Sequence, residues 1–593
     1  MSLLFNPRTY DPSSFDEGTR RQLLALIDFF ESKGLARNKD EHYSGEWYGD
    51  FLKLIADKKI FATFATPAEV GALVGNNDAR WDLARINELN EILGFYSLAH
   101  WYAWQVSVLG LGPVWLSDNN EARKRVAGLL GEGNIFGFGL SEREHGADIY
   151  SSDMILTRTA DGFSASGGKW YIGNGNAAGR LSVYGKFAED DPEHANEHVF
   201  FLVDPSHQSY ELIKNVVAGQ MFVAGFNLHE YPVAPADVLH AGKSAFDAAL
   251  ATVNVGKVNL GWASIGICEH AFYESVTHAN NRILYGNRVT AFPHVRRMLA
   301  DAYARLVAMK IFAARSTDYF RSASEDDRRF LLFNPITKAK VTSEGERVID
   351  LLWDVIAARG FERDTYFSRA ATDIRALPKL EGTVHVNIAL VLKFMPQYLG
   401  AAHGAAQHYP DIPVRQDNAD DAYLFHQGPA KGLGSIGFAD WRPAFDRFGH
   451  LENVGIFRQQ IDAFTQLVLT APPTEAQQKD LDYLQVLGQL FAQIVYGQLI
   501  LESAALAIDD GATRPGSVSD VSDLTEAHLD RIFAVFVRDM ADQAVQLHGQ
   551  ASATAAQSAA GLAIVRKPRI DSEAEETFVA EVLSYSGAYE MKP

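Results

Sequence analysis

Apolar and polar positions change their rhythm twice along this chain. From residue 16 to about 135 the spacing is helical: between Arg21 and Phe30 the apolar positions 23, 26, 27 and 30 recur at three- and four-residue steps. Helical text continues from Trp81 to Ile92 and from Ala122 to Leu130. From about Gly137 to Leu239 the pattern shortens into apolar runs such as Met154-Ile155-Leu156, Lys169-Trp170-Tyr171-Ile172 and Val199-Phe200-Phe201-Leu202-Val203. Asp161-Gly162, Gly173-Asn174-Gly175 and Asp190-Asp191-Pro192 punctuate them, which predicts strands joined by turns. Beyond Ala245 the helical period returns, and Val295, Leu299, Ala302, Leu306, Met309 and Ala313 form one seam that predicts a bundle core. A last region opens with a Pro/Asp/Gly-rich stretch from Asp411 to Gly437, then reads as helix over Ile456–Leu506 and Asp530–Ala563.

The expected fold is therefore mainly α with an inserted β domain, a barrel or sandwich. The expected division is 1–136 helical, 137–243 β, 244–410 a helical bundle, and 411–593 an additional, mainly helical acidic domain.

Charge narrows the function classes. Against 54 Lys and Arg stand 74 Asp and Glu, a net charge of −20, and residues 411–593 are the most acidic stretch. Nucleic acid is a poor partner for such a surface, because phosphate binding is driven by clustered cations. That last region reads as a solvated helical appendage. The single cysteine, Cys268, excludes an internal disulfide and any Cys-based zinc or iron–sulfur site within one chain. No apolar run approaches the roughly 20 residues that span a bilayer, no signal peptide is visible, and a cytoplasmic location is expected.

Two tempting motifs lack their context. Gly432-Leu433-Gly434-Ser435-Ile436-Gly437 spells G-x-G-x-x-G, but Pro429 stands before it and Pro443 soon after, where a dinucleotide site needs a strand and a helix. His194-Ala195-Asn196-Glu197-His198 has a zinc-peptidase spacing but falls in an acidic loop between strands, so no metal is expected. His403 and His408 read as surface or packing residues. There is no G-x-S-x-G, no Walker A sequence and no thiol pair.

Two other segments look chemical. One runs from Phe138 through Leu140, Ser141, Glu142, Gly146, Ala147 and Asp148, followed by Gly168-Lys169-Trp170-Tyr171-Ile172-Gly173-Asn174-Gly175. The other is Leu377-Pro378-Lys379-Leu380-Glu381-Gly382-Thr383, leading into an apolar helix from Val384 to Leu399. Taken alone, the second is an ordinary helix start.

Together they resemble the acyl-CoA dehydrogenase family of flavoproteins. An aromatic-x-x-Ser-Glu run, a Lys-x-(Trp/Tyr)-Ile-x-Asn-Gly run, Arg282-Ile283-Leu284-Tyr285-Gly286 and Leu380-Glu381-Gly382-Thr383 occur in the family's order, over roughly residues 15 to 400. The resemblance implies FAD bound between the β and helical domains and reaching a neighbouring subunit. It places Phe138, Leu140, Ser141, Gly146, Ala147, Tyr171, Ile172, Gly173, Thr383 and His385 around the flavin, and Arg282 and Tyr285 at the diphosphate and adenosine end. It makes Glu381 the base that takes an α-proton from an acyl thioester, with Gly382 and Lys257 beside the substrate. The family's alternative base position is Val255, which cannot serve, and Glu142 reads as structural.

The implied activity is α,β-dehydrogenation of an acyl-CoA, or of a carrier-protein thioester, as in fatty-acid β-oxidation. Electrons would pass to an electron-transfer flavoprotein, and a homodimer or higher oligomer is implied. Alternatives are an oxidase using O₂ and a flavin-binding relative without turnover. The chain departs from the family at Gly173, usually Thr or Ser; at Ala357-Ala358-Arg359-Gly360-Phe361, usually Gly-Gly-x-Gly-Phe; and at His385, usually Gln.

Overall fold

The structure is a computed structural model that describes residues 3–146, 148–400, 421–429, 431–509 and 523–593. Ala147, His403, His408 and the start of the Pro/Asp/Gly-rich stretch lie outside the described residues. Two compact units emerge: residues 16–259 with 418–430, and residues 1–15, 260–417 and 431–592.

In the first unit come helices α1 (Glu17–Ser44), α2 (Gly49–Lys58), α3 (Ile60–Phe64), α4 (Ala68–Leu73), α5 (Leu83–Tyr96), α6 (Leu98–Trp115) and α7 (Asn120–Gly131). Strands follow: β1 (Phe136–Gly139), β2 (Ile155–Thr159), β3 (Gly162–Gly173), β4 (Arg180–Phe187), β5 (His198–Val203), β6 (Tyr210–Asn215), β7 (Val223–Val233) and β8 (Val238–Ala241). They form one sheet in the order β6-β7-β3-β2-β4-β5-β8, with β1 and β2 both parallel to β4 and the remaining pairs antiparallel. Met154, Leu156, Ile172, Val183, Phe201 and Phe226 are among its core residues.

Helix α6 carries no amphipathic stripe because it is buried on every side, Trp101 and Trp104 included. Its small residues let it lie close to the sheet: a Cβ at Gly110 would stand 2.5 Å from the Gly137 carbonyl oxygen.

Helix α8 (Lys243–Asn281) belongs to the first unit through Asn259 and to the second from Leu260. The second unit continues with a hairpin, β9 (Ile283–Leu284) and β10 (Asn287–Arg288). Then come α9 (Pro293–Arg321), α10 (Phe330–Ile336), α11 (Thr342–Ile356), α12 (Phe367–Asp373), α13 (Val384–Leu392) and α14 (Met395–Gly400). Its last part holds α15 (Arg442–Arg447), α16 (Glu452–Thr470), α17 (Leu481–Asp509), α18 (Glu526–His548), α19 (Ala555–Ile564) and α20 (Ser572–Ser584).

The mainly helical architecture with an inserted β domain is the one found, and the seam on α9 is buried along its whole length. Three expectations change. The helix expected from Val384 to Leu399 breaks after Leu392. The region after 411 is no solvated appendage: α17 and α18 pack on α9 in a shared core. Arg305 Nη1 donates to Glu344 Oε2 (2.5 Å) and Asp539 Oδ2 (2.7 Å), and Arg531 Nη2 to Asp301 Oδ1 (2.7 Å), so ion pairs tie α18 into the core. Thirdly, Leu481–Ile508 is long and apolar enough to cross a membrane, yet most of its apolar stretch is buried among its neighbours, as in a core helix. Gly432–Gly437 forms a short turn with no strand before it among the described residues, and α15 after it spans only six residues.

Candidate functional site

In the first unit the motif residues gather where β1 and β3 meet the loop from Ser141 to Gly146. Ser141 Oγ donates to the Trp170 carbonyl (2.8 Å) and Trp170 N–H donates to the Ser141 carbonyl (3.1 Å), so the loop is sewn to β3. Glu142 and Gly146 exchange both backbone hydrogen bonds, and Gly146 turns the loop at φ 57°. Phe138 is buried and stacks on Phe200; Ile172 is wholly buried in the sheet core; Leu140 is half-buried. Tyr171 sits at a bulge between β3 and β7 with φ 65°, which turns its ring outward, 59% exposed.

Glu142 is held by three donors. Lys169 Nζ (2.6 Å) and Ser152 Oγ (2.6 Å) bind its Oε1, and Asp153 N–H (2.8 Å) binds its Oε2. Burial would raise this carboxyl, but the Lys169 ammonium and the hydrogen bonds outweigh it and hold it below the ordinary value. Burial pushes the Lys169 ammonium down to about 8 against the pull of Glu142. Glu142, His145 and Asp153 bring one ligand atom each within 4.8 Å of one another, but Lys169 already neutralises Glu142.

Asn174 and Gly175 of the same motif are architectural. Asn174 Nδ2 donates to the Ala103 and Phe136 carbonyls, at 3.0 and 2.9 Å, and the Tyr210 hydroxyl donates to the Gly175 carbonyl at 2.6 Å. Gly173 is a steric requirement: a Cβ there would lie 2.5 Å from Val106 Cγ2 and 2.8 Å from Tyr102 Cε1, both on α6. Lys257 is buried on α8, as is Val255.

In the second unit Leu377–Lys379 makes a 3₁₀ turn containing Pro378, and the chain then passes through two left-handed residues, Glu381 (φ 52°) and Gly382 (φ 81°). Thr383 caps α13, its Oγ1 accepting from Val386 N–H at 3.5 Å. Asn387 Nδ2 donates to the carbonyls of Gly382 (3.1 Å) and Thr383 (3.0 Å). The His385 ring is exposed while its carbonyl accepts from Gln485 Nε2 on α17 (2.8 Å). Glu381 is half-buried and its Oε2 is shielded from solvent.

Arg282 and Tyr285 stand on the β9–β10 hairpin, whose turn is Tyr285-Gly286 at φ 51° and 81°. Tyr285 is 93% exposed, with Ile283 and Leu284 exposed beside it. Arg282 contacts His278 at 3.4 Å, and burial together with the Arg282 and Arg359 guanidinium groups pushes the His278 imidazole down. Glu362 acts in the opposite direction on His278 and pairs with Arg359 at 2.8 Å. Ala357 has φ 56°, a conformation that favours glycine, which accounts for the family's glycine there.

Among the described residues eight non-glycine positions have positive φ, and five of them, Tyr171, Asn174, Tyr285, Ala357 and Glu381, fall in the motif segments. Such conformations cost about 1–3 kcal/mol each and persist where surrounding structure imposes them. Sequence reading passed over Lys338, Asn387 and Gln485, which bond the peptide around Glu381. A polar Asn one turn into an apolar helix was the available signal for Asn387; the other two had none.

Residues 245–395 match the family model described as the acyl-CoA dehydrogenase C-terminal domain. The chain is 24% identical over 285 residues to the short-chain-specific acyl-CoA dehydrogenase of Megasphaera elsdenii, covering 46% of this chain and 72% of that one. It is 24% identical over 297 residues to an acyl-CoA dehydrogenase of Bacillus subtilis, covering 48% and 75%. In fold it is similar to an acyl-CoA dehydrogenase complexed with FAD from Bacillus anthracis, with TM-score 0.70, 15% identity, and 98% and 97% of the two chains covered. Butyryl-CoA dehydrogenase from Megasphaera elsdenii covers 64% of this chain and 97% of its own, with TM-score 0.55 and 18% identity. The Bacillus anthracis fold therefore extends over the C-terminal helices of this chain, whereas the Megasphaera elsdenii fold covers a smaller part.

Proposed function

We propose that this chain, related to the acyl-CoA dehydrogenases by its matched C-terminal domain and its fold, is an FAD-dependent enzyme that removes hydrogen from Cα and Cβ of an acyl thioester. The observation that carries the reading is Glu381: a half-buried carboxylate on a left-handed turn at the head of α13, within the Leu380-Glu381-Gly382-Thr383 motif that the resemblance assigns to the base.

The residues present fit FAD. Arg282 offers a planar fork of donors suited to a diphosphate. The outward ring of Tyr171 offers an aromatic face, and Ser141, whose proton goes to the Trp170 carbonyl, keeps its oxygen as an acceptor. In this reading Phe138, Leu140 and Gly146 of the first unit, and Thr383 and His385 of the second, are further flavin contacts, while the Ile172 side chain stays in the sheet core. FAD, when bound, supplies the acceptor for the β-hydrogen as hydride.

Glu381 takes the α-proton on its carboxylate. The developing enolate oxygen is met by the Glu381 backbone N–H, and a donor of this kind is worth about 3–4 kcal/mol. In this reading Gly382 lies beside the thioester, while Lys257 is buried on α8 within the first unit. Gly173 offers no hydroxyl to the flavin edge, and Val106 and Tyr102 occupy the space where one would start.

The proposed substrate is an acyl-CoA and the proposed electron acceptor an electron-transfer flavoprotein, with the enzyme working in fatty-acid β-oxidation as a cytoplasmic homodimer. An oxidase reading has support from a structural neighbour titled as a prolyl acyl carrier protein oxidase, with TM-score 0.54 and 18% identity. The test is anaerobic addition of a chain-length series of acyl-CoA to the flavin-loaded protein. Bleaching of the flavin absorbance with at least one of them is expected, and none with any would remove the reading. Rapid peroxide formation in air without another acceptor would move it to the oxidases.

A further inference from the structure

Resting on the reading of Glu381 as the base, we infer that Lys338, Asn387 and Gln485 are positioning residues that clamp the Glu381–Gly382 turn from both ends. The upstream arm of the clamp begins at Pro335. Inside α10 this residue has no N–H to give, and the helix continues through a π turn over Thr337–Val341 before α11 begins. Thr337 Oγ1 bonds the Ser316 hydroxyl (2.8 Å) and the Phe333 carbonyl (3.1 Å), and Thr342 Oγ1 donates to the Lys338 carbonyl (2.5 Å), which holds the irregular turn in place.

The extra residue of a π turn rotates the side chains around it, and Lys338 ends with none of its surface exposed. An ammonium so deeply buried must be bonded, and Nζ donates to the Pro378 carbonyl at 2.6 Å. That carbonyl lies three residues before Glu381.

Downstream, Asn387 Nδ2 holds the carbonyls of Gly382 and Thr383, and Gln485 Nε2 holds that of His385. Helix α17 is kept close by Gly488, where a Cβ would stand 2.5 Å from Ile388 Cγ2 on α13. Two consecutive left-handed residues would relax if either end were free, so a cation on one side and two amides on the other impose the turn. Through Gln485, the region after 411 thereby bears on the head of the helix that follows the base.

The test uses the full-length, flavin-loaded protein and two readouts. Amide hydrogen exchange across residues 377–387 should quicken by about tenfold or more in Lys338→Met, with exchange in α9 unchanged. The thioester-driven kcat should fall about 10–100-fold with KM nearly unmoved, and Lys338→Arg should recover part of it. Gln485→Leu, at a half-buried position, gives the same quickening confined to 384–387 and serves where Lys338→Met does not fold. Unchanged exchange in the folded variants, or kcat and KM moving together without rescue by Lys338→Arg, overturns the clamp. Quickened exchange in a protein whose parent turns over no thioester supports the clamp and overturns the reading of Glu381 instead.

Discussion

Each of the two motif segments contains a glutamate and has a buried lysine at hand, and the two lysines are used differently. In the first unit Lys169 bonds the carboxylate of Glu142 itself, and the Ser152 hydroxyl and the Asp153 N–H donate to it as well. In the second unit Lys338 bonds the Pro378 carbonyl, three residues upstream of Glu381. A carboxylate that accepts three donors, one of them a cation, is stabilised as an anion and is a poor base. A lysine bonded to the backbone holds the loop that carries the carboxylate. Residue type alone does not separate these roles; the atom that receives the ammonium proton does.

The largest test of this contrast is Glu381→Gln, which should lower the rate of flavin bleaching by an acyl thioester about 10²–10⁴-fold with the fold retained. If Glu142→Gln produced that loss in a folded protein and Glu381→Gln did not, the assignment of roles would be reversed. Lys169→Met should act on stability instead, costing about 3–5 kcal/mol in denaturant unfolding because Glu142 keeps its charge without its cation. Replacing both with apolar residues should recover a large part of that.

Gly173→Thr tests whether packing against α6 excludes a hydroxyl-bearing side chain at this position. Crowding against Val106 and Tyr102 should cost about 1–3 kcal/mol. A neutral effect would mean that α6 yields there.

The last test is pH dependence. Lys169 titrates at about 8 in the fold against 10.5 for the ordinary side chain, so between these values the unfolded chain binds more protons. Its contribution to stability therefore rises with pH across that window and declines as pH falls through about 8. The difference between the parent and Lys169→Met, followed by denaturation from pH 7 to 10.5, should show that rise in the parent alone.

Much of the fold was legible because burial leaves a period. The seam on α9, the short runs of the β domain and the turn residues between them all repeat at the spacing of their elements. Helix α6 was not legible, since a helix buried on every side has no polar face to mark its period. The C-terminal helices misled for the opposite reason. Their acidity suggests a solvated surface, yet Asp539 faces Arg305 within the unit, where a formal charge count cannot see the pairing.

What the sequence by itself determined is the order of elements and the identity of the chemical segments, because hydrophobic period and local turn chemistry act over a few residues. Only the tertiary structure decided that Lys169 pairs with Glu142, why residue 173 is glycine and what holds Glu381 in a left-handed turn. Lys338 and Gln485 lie 43 residues before and 104 after Glu381 in the chain. Their bonds to its loop exist because the packed core brings those side chains to it, and no local pattern encodes that approach.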